Sequence, residues 1–171
     1  HRLDAVKAAK VPVVLPVNFP DAPSVGTPED ALNVGLGDLR YWDEAPENPK
    51  MLASAGVEFA FTASTLKDQS KFLGNVRKAV ARGLAADTAL AALTIVPAKL
   101  LGVSTEMGTL EAGKRANFVV TDGDLFAEKT AVRETWVGGV RYAVKPAPAF
   151  DVRGTWSAAL SASCHKAACS M

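Results

Sequence analysis

Two short apolar runs, Val11-Pro12-Val13-Val14-Leu15 and Val57-Glu58-Phe59-Ala60-Phe61-Thr62, divide the first hundred residues into alternating segments. Both predict strands. The first has no polar position, which predicts burial on both faces. Around them apolar residues recur at helical spacing. Residues 1–10 suit a helix, with Leu3, Val6 and Lys7 in register. Thr27-Pro28-Glu29-Asp30 is a helix start, with a capping hydroxyl, a proline in the first turn and acids facing the positive end of the dipole. Leu32, Leu36, Leu39 and Trp42 continue it. Asn48-Pro49 opens a second short helix that Gly56 closes. Phe72, Val76, Ala79 and Val80 form one face of a helix ending at Gly83. Asp87 or a neighbour is expected to cap a helix over 88–94; Pro97 opens another that Gly102 stops.

The pattern changes after Gly102. Glycines become frequent and short β-type runs appear over 117–121, 135–137 and 140–144. Val137-Gly138-Gly139-Val140 predicts a hairpin turn between the last two. The organisation expected is an alternating α/β part over 1–102, a small β unit over 103–145, and a linker and poorly defined tail over 146–171. Pro146-Ala147-Pro148-Ala149 reads as the linker, and residues 151–156 as a further strand. The tail beyond Ser157 has too few large apolar residues for a core of its own.

Composition narrows the functional classes. Apolar residues make up 49% and charged residues 22%, ordinary for a globular protein. The formal net charge of +1 gives no electrostatic case for nucleic acid or acidic lipid as a partner. No apolar run approaches the roughly 20 residues of a membrane helix. The chain opens on His1 instead of Met, so the N-terminus is expected to be missing and the compartment stays open.

Candidate chemistry gathers in the loops after the two strands, where parallel-strand enzymes place their sites. Asn18 and Asp21 follow the first strand. Substrate contact is possible there, although the surrounding prolines favour plain turn residues. Ser64, Thr65 and Asp68 follow the second. Helix capping is the stronger reading of Asp68, with a catalytic or ligand role behind it. Loop hydrogen bonding is the stronger reading of Ser64 and Thr65, with substrate contact behind it. Cys164, His165 and Cys169 superficially resemble a soft-metal cluster, but lack a fourth ligand and lie on a small-residue tail. Lys114-Arg115 reads as a surface turn, and Trp42, Trp136 and Trp156 as packing residues.

One stretch carries more than local pattern. Ala-Leu-Ala-Ala-Leu-Thr-Ile-Val-Pro-Ala-Lys-Leu-Leu-Gly over 89–102, a short spacer, then Gly-Thr-Leu-Glu-Ala-Gly-Lys-Arg-Ala-Asn-Phe-Val-Val over 108–120, resembles the C-terminal signature of the amidohydrolase superfamily, in particular its imidazolonepropionase-like and related members. The likeness is clear over 82–142 and looser over 11–81. It implies the C-terminal part of a distorted TIM (β/α)8 barrel plus part of a flanking small β-sandwich. The strands at 11–15 and 57–62 would be the last two of the barrel, 86–102 the helices after them, and 103–145 the share of the sandwich.

The resemblance also implies a chemistry. Such enzymes use a divalent metal, zinc foremost, to lower the pKa of bound water, and an Asp after the last barrel strand to take its proton. Their other ligands include a His-x-His pair near the chain start. This chain has only His1 and His165 and no such pair. The Asp is expected near Ala63 or Ser64, and neither is a carboxylate; Asp68 comes about four residues late. The expectation is therefore the C-terminal segment of a metal-dependent amidohydrolase cleaving a non-peptide amide, cyclic amide or imide in a small-molecule substrate. The metal belongs to the full-length parent; the segment alone binds none and is inactive. Its partner is the remainder of the barrel or a second copy of the chain. The alternative is a non-catalytic binding or scaffold protein that kept the fold and lost the metal site.

Overall fold

The computed structural model describes residues 3–145. Within it, strands β1 (Val13–Pro16) and β2 (Phe59–Thr62) pair in parallel, Val13 opposite Phe59 and Pro16 opposite Thr62. A parallel pair needs a crossover. Helices α2 (Pro28–Asn33), α3 (Leu36–Glu44) and α4 (Asn48–Ser54) provide it, with a 3-10 turn over Ala45–Glu47 between the last two. Helix α1 (Leu3–Ala9) precedes β1; α5 (Phe72–Ala81), α6 (Ala86–Leu93) and α7 (Ile95–Leu100) follow β2. The chain then forms a separate antiparallel sheet from β3 (Phe118–Thr121), β4 (Val132–Val137) and β5 (Val140–Ala143), in that order. His1, the expected 146–149 linker and 151–156 strand, and Cys164, His165 and Cys169 lie outside the described residues.

The core is built around β2. Phe59, Ala60 and Phe61 are all buried, so this strand is covered on both faces. Phe59 and Phe61 meet edge to face with centroids 5.3 Å apart. Val76 and Ala79 of α5, Ala89 and Ala92 of α6, Leu52 of α4, and Val17, Val57 and Leu84 complete the cluster.

Strand β1 departs from the expected double burial: Val14 is 61% exposed. Helices α6 and α7 pack on β2, and β1 is left as an edge with an open face. The strand also starts two residues late, because Val13 makes the first ladder contact, donating its N–H to the Glu58 carbonyl at 3.0 Å.

Three helix expectations need correction. The single helix through Leu32, Leu36, Leu39 and Trp42 is two helices, broken where Val34 turns extended and Gly35 caps α3. Glycine's cost in a helix interior accounts for the break. Those four side chains stay exposed, Leu32 at 86%. The opening of α6 lies at Ala86 with Ala85 as an N-cap that offers no side-chain bond, so Asp87 meets the dipole from the first turn rather than capping it. Finally, α7 begins at Ile95, and Pro97 sits in its first turn, where a missing N–H costs no helical bond.

The small sheet follows the expected strands, with β4 extended back to Val132. Gly138 and Gly139 both have positive φ, 58° and 84°, as a two-residue hairpin turn demands. Phe118 stacks on Trp136 across β3 and β4 at 5.4 Å. Arg77 joins the sheet to the core: its guanidinium donates to the carbonyls of Leu125 at 2.9 Å, Thr130 at 2.8 Å and Glu128 at 3.4 Å.

Candidate functional site

The loops after β1 and β2 open onto one cleft of about 1040 Å³, bounded by α5 and by the segment between β3 and β4. Four sequence candidates line it: Asn18, Asp21, Thr65 and Asp68. Ser64 is not among the lining residues; its N–H donates to the Thr62 hydroxyl at 3.2 Å in the turn that ends β2.

The position of Asn18 is set from below. Val17 is fully buried, and its carbonyl accepts from Asn75 Nδ2 of α5 at 2.7 Å. That bond pins the loop to the helix and leaves Asn18 exposed on the cleft wall. Thr65 stands on the facing loop.

Asp68 caps a 3-10 turn over Gln69–Lys71. Its Oδ1 accepts from the Ser70 N–H at 3.0 Å and from the Ser70 hydroxyl at 2.7 Å. The Ser70 hydroxyl, then the Ser70 N–H, hold this carboxyl below the usual range, and the Lys71 ammonium adds to the effect. A carboxylate so stabilised is a weaker proton acceptor than a free one. The geometry is that of a cap.

Sequence reasoning overlooked the floor of the cleft. Lys71 at the N-cap of α5, and Gly74, Asn75 and Lys78 of the helix itself, lie along it. Lys71, Asn75 and Lys78 fall at i, i+4 and i+7, a stripe legible from its spacing that borders the apolar face of Phe72, Val76 and Ala79, and Asn75 is buried with Val76 and Ala79. Among the described residues no three or more His, Cys, Asp or Glu side chains gather into a set able to hold a metal. Asp21, Asp68 and Glu128 line the cleft on three separate segments. Four-coordinate zinc would need ligands from beyond the described residues.

The signature stretch is a set of packing devices. Lys99 Nζ donates to both oxygens of Glu58 at 3.0 and 2.9 Å, tying α7 to the entry of β2. Gly108 has φ +102°, and a Cβ there would lie 2.8 Å from the Ala98 Cβ and 3.2 Å from the Thr94 carbonyl, so only glycine lets the chain pass α7 this closely. Lys114 donates to the Thr109 hydroxyl at 2.5 Å and pairs with Glu111. Asn117 Oδ1 accepts the Gly138 N–H at 2.7 Å, fixing the β4–β5 hairpin against β3. Trp136 packs on Phe118 and donates to Glu134 at 3.1 Å.

Comparison with known proteins gives a consistent frame. The model of the amidohydrolase family matches residues 56–143. Over 59 residues the chain is 44% identical to the N-acetylglucosamine-6-phosphate deacetylase of Danio rerio, a stretch covering 34% of this chain and 13% of that one. A crystal structure of an amidohydrolase from Thermotoga maritima superposes with a TM-score of 0.59 at 25% identity, covering 81% of this chain and 34% of the other. A prolidase solved with N-methylphosphonate-L-proline superposes with a TM-score of 0.60 at 21% identity, over 82% of this chain and 38% of that one. The chain thus spans little more than a third of the length of these two structures.

Proposed function

Since the chain belongs to the amidohydrolase family, we propose that it is the C-terminal segment of a hydrolase acting on a carbon–nitrogen bond of a small molecule: a non-peptide amide, a cyclic amide or an imide. In this reading β1 and β2 are the last two strands of a (β/α)8 barrel, and β3 to β5 are its share of the flanking sandwich. The observation that carries it is the continuity of the family match, which runs from just before β2 through all the strands of the small sheet. The open face of β1, with Val14 61% exposed, fits a strand awaiting a neighbour. The remainder of the barrel, or a second copy of the chain, is the proposed cover.

Within that enzyme, Asn18 and Thr65 are proposed to contact substrate where the two strands end. Asp68 and Ser64 remain weaker candidates for a catalytic part. The reaction class implies a divalent metal, and its ligands are proposed to lie outside residues 3–145, because the acids of the cleft sit apart. A metal-free binding or scaffold protein is the second reading. The absence of a carboxylate at Ala63 and Ser64 favours it, as does the commitment of Asp68 to Ser70.

The test is the native product of the gene that encodes this segment. Its intact mass, metal content and activity on a panel of amides, lactams and imides are to be measured together. The expected result is a chain somewhat more than twice this length, in proportion to the structural relatives, of which 34% and 38% match 81% and 82% of this chain, holding metal and hydrolysing at least one substrate. A native chain of this length, metal-free and inert on the panel, would sink the enzyme reading.

A further inference from the structure

We propose that the cleft above α5 binds a small molecule through a carboxylate or phosphate group, held between Lys71 and Lys78 over Asn75. This deepens the reading of the cleft as the substrate side of the enzyme and rests on that reading for the word substrate, though not for binding itself.

Three observations carry it. First, Lys71, the N-cap residue of α5, and Lys78, two turns along the helix, are both exposed and both line the cleft, with Asn75 between them in sequence. Lys67 joins them from the loop after β2. Among the described residues these three ammonium groups take part in no ion pair. The nearby Asp68 directs its Oδ1 to Ser70 instead.

Second, Asn75 is 7% exposed and lines the cleft. One N–H of its carboxamide goes to the Val17 carbonyl. Among the described residues its Oδ1 has no partner, yet no side-chain polar atom is left both sealed and unsatisfied. Its oxygen therefore meets the cleft rather than the core. The floor offers a carboxamide held by the Val17 carbonyl and two exposed ammonium groups on either side of it in sequence, the arrangement that reads a small anion by charge and by hydrogen bonding.

Third, Gly74 leaves the space free. A Cβ at this position would meet nothing within 4 Å. The room lies next to Asn75 and between the two lysines in sequence. On the opposite walls, Asp21 and Glu128 can accept hydrogen bonds from hydroxyl or N–H groups elsewhere on the same ligand. The cleft carries both signs of charge, so the preference comes from where the cations stand and not from the net total.

The test uses the full chain and inorganic phosphate, with acetate as a second probe, followed by calorimetry or by NMR shifts of the α5 amides at constant chloride. Saturable one-to-one binding is expected. The Lys71→Gln/Lys78→Gln pair should weaken it by about tenfold or more, the loss of charge-assisted bonds. Gly74→Leu should plug the cleft and abolish binding while the circular dichroism stays that of the parent; should that variant not fold, the lysine pair decides alone. A carboxylate-only or phosphate-only response identifies which source of the anion the cleft takes. No saturation with either probe, or equal binding in the lysine variant, overturns the proposal. Failure here leaves the hydrolase reading to its own test on the longer native protein, and hydrolysis without anion binding would separate the two.

Discussion

The two halves of the described chain are held together by different physics. From Val17 to Ala98 the structure has a sealed apolar core, with Val17, Val76, Ala79 and Ala89 fully buried. From residue 103 to 145 no described residue is buried at all. There the sheet depends on a Phe118–Trp136 stack and on polar ties: Asn117 to Gly138, Asp122 to Arg133 at 2.6 Å, Glu134 to Arg141. Exposed ties of this kind contribute little singly. The sheet is therefore expected to open at lower free energy than the core, and Arg77, together with Phe126 packed against the core cluster, is a bridge through which the core steadies it.

The largest expected effect breaks the core. Phe59→Ala removes a buried ring at the centre of β2 and should cost about 3–5 kcal/mol, read as a shift of the urea midpoint that takes both regions with it. If the small sheet kept its protection while the core melted, the sheet would be independent and the dependence inferred here would be wrong.

The next sharpens the contrast. Arg77→Met keeps the aliphatic stem and deletes the donors to three carbonyls. A loss of about 1–3 kcal/mol is expected, seen by hydrogen exchange as faster opening of residues 118–137 with α5 and β2 little changed. Uniform acceleration through both regions would contradict the bridge.

Gly108→Ala follows. The left-handed φ and the 2.8 Å approach to Ala98 should make it cost about 1–2 kcal/mol, measured by thermal midpoint, with the damage centred where the chain passes α7. An unchanged midpoint would mean that the close passage is not required.

The smallest effect is a pH dependence of the sheet, separate from the one that Asp68 gives its own turn. The Ala131 N–H, then Arg133, hold Asp122 below the usual range; Arg141, then Trp136, do the same for Glu134. Because both folded values are depressed, the stability they add is present above the unfolded carboxylate values of about 4 and is lost as pH falls through the lower folded ones. Exchange in β4 and β5 should therefore quicken only below about pH 4, and Asp122→Asn should flatten its share of that response. Quickening near neutral pH would point to another group.

How much of this was legible depended on which residue types carried the signal. The two parallel strands stood out as apolar runs, and Gly138-Gly139 stood out because only a tight hairpin turn wants consecutive positive φ angles. The exposure of Val14 did not stand out: an apolar run states a capacity for burial, and its cover belongs to elements that are not next to it in sequence. The break at Gly35 was visible as a residue but was outweighed by the spacing of Leu32, Leu36 and Leu39, none of which is buried. At the cleft, Asn18, Thr65 and Asp68 were found because they follow strands. Asn75 was missed because a lone polar residue on a helix has no local mark; only the fold brings its amide to the Val17 carbonyl. Asp68 resolves into a cap once Ser70 is seen to take its oxygen, a contact written in the sequence two residues away.

The central proposal is that this chain supplies scaffold and cleft to a hydrolase whose metal ligands lie outside residues 3–145. Elemental analysis tests it most directly. Residues 1–171 are to be purified, exposed to zinc and desalted, and the metal is then counted per chain. The account predicts far less than one equivalent. Zinc retained near one equivalent per folded chain would contradict it.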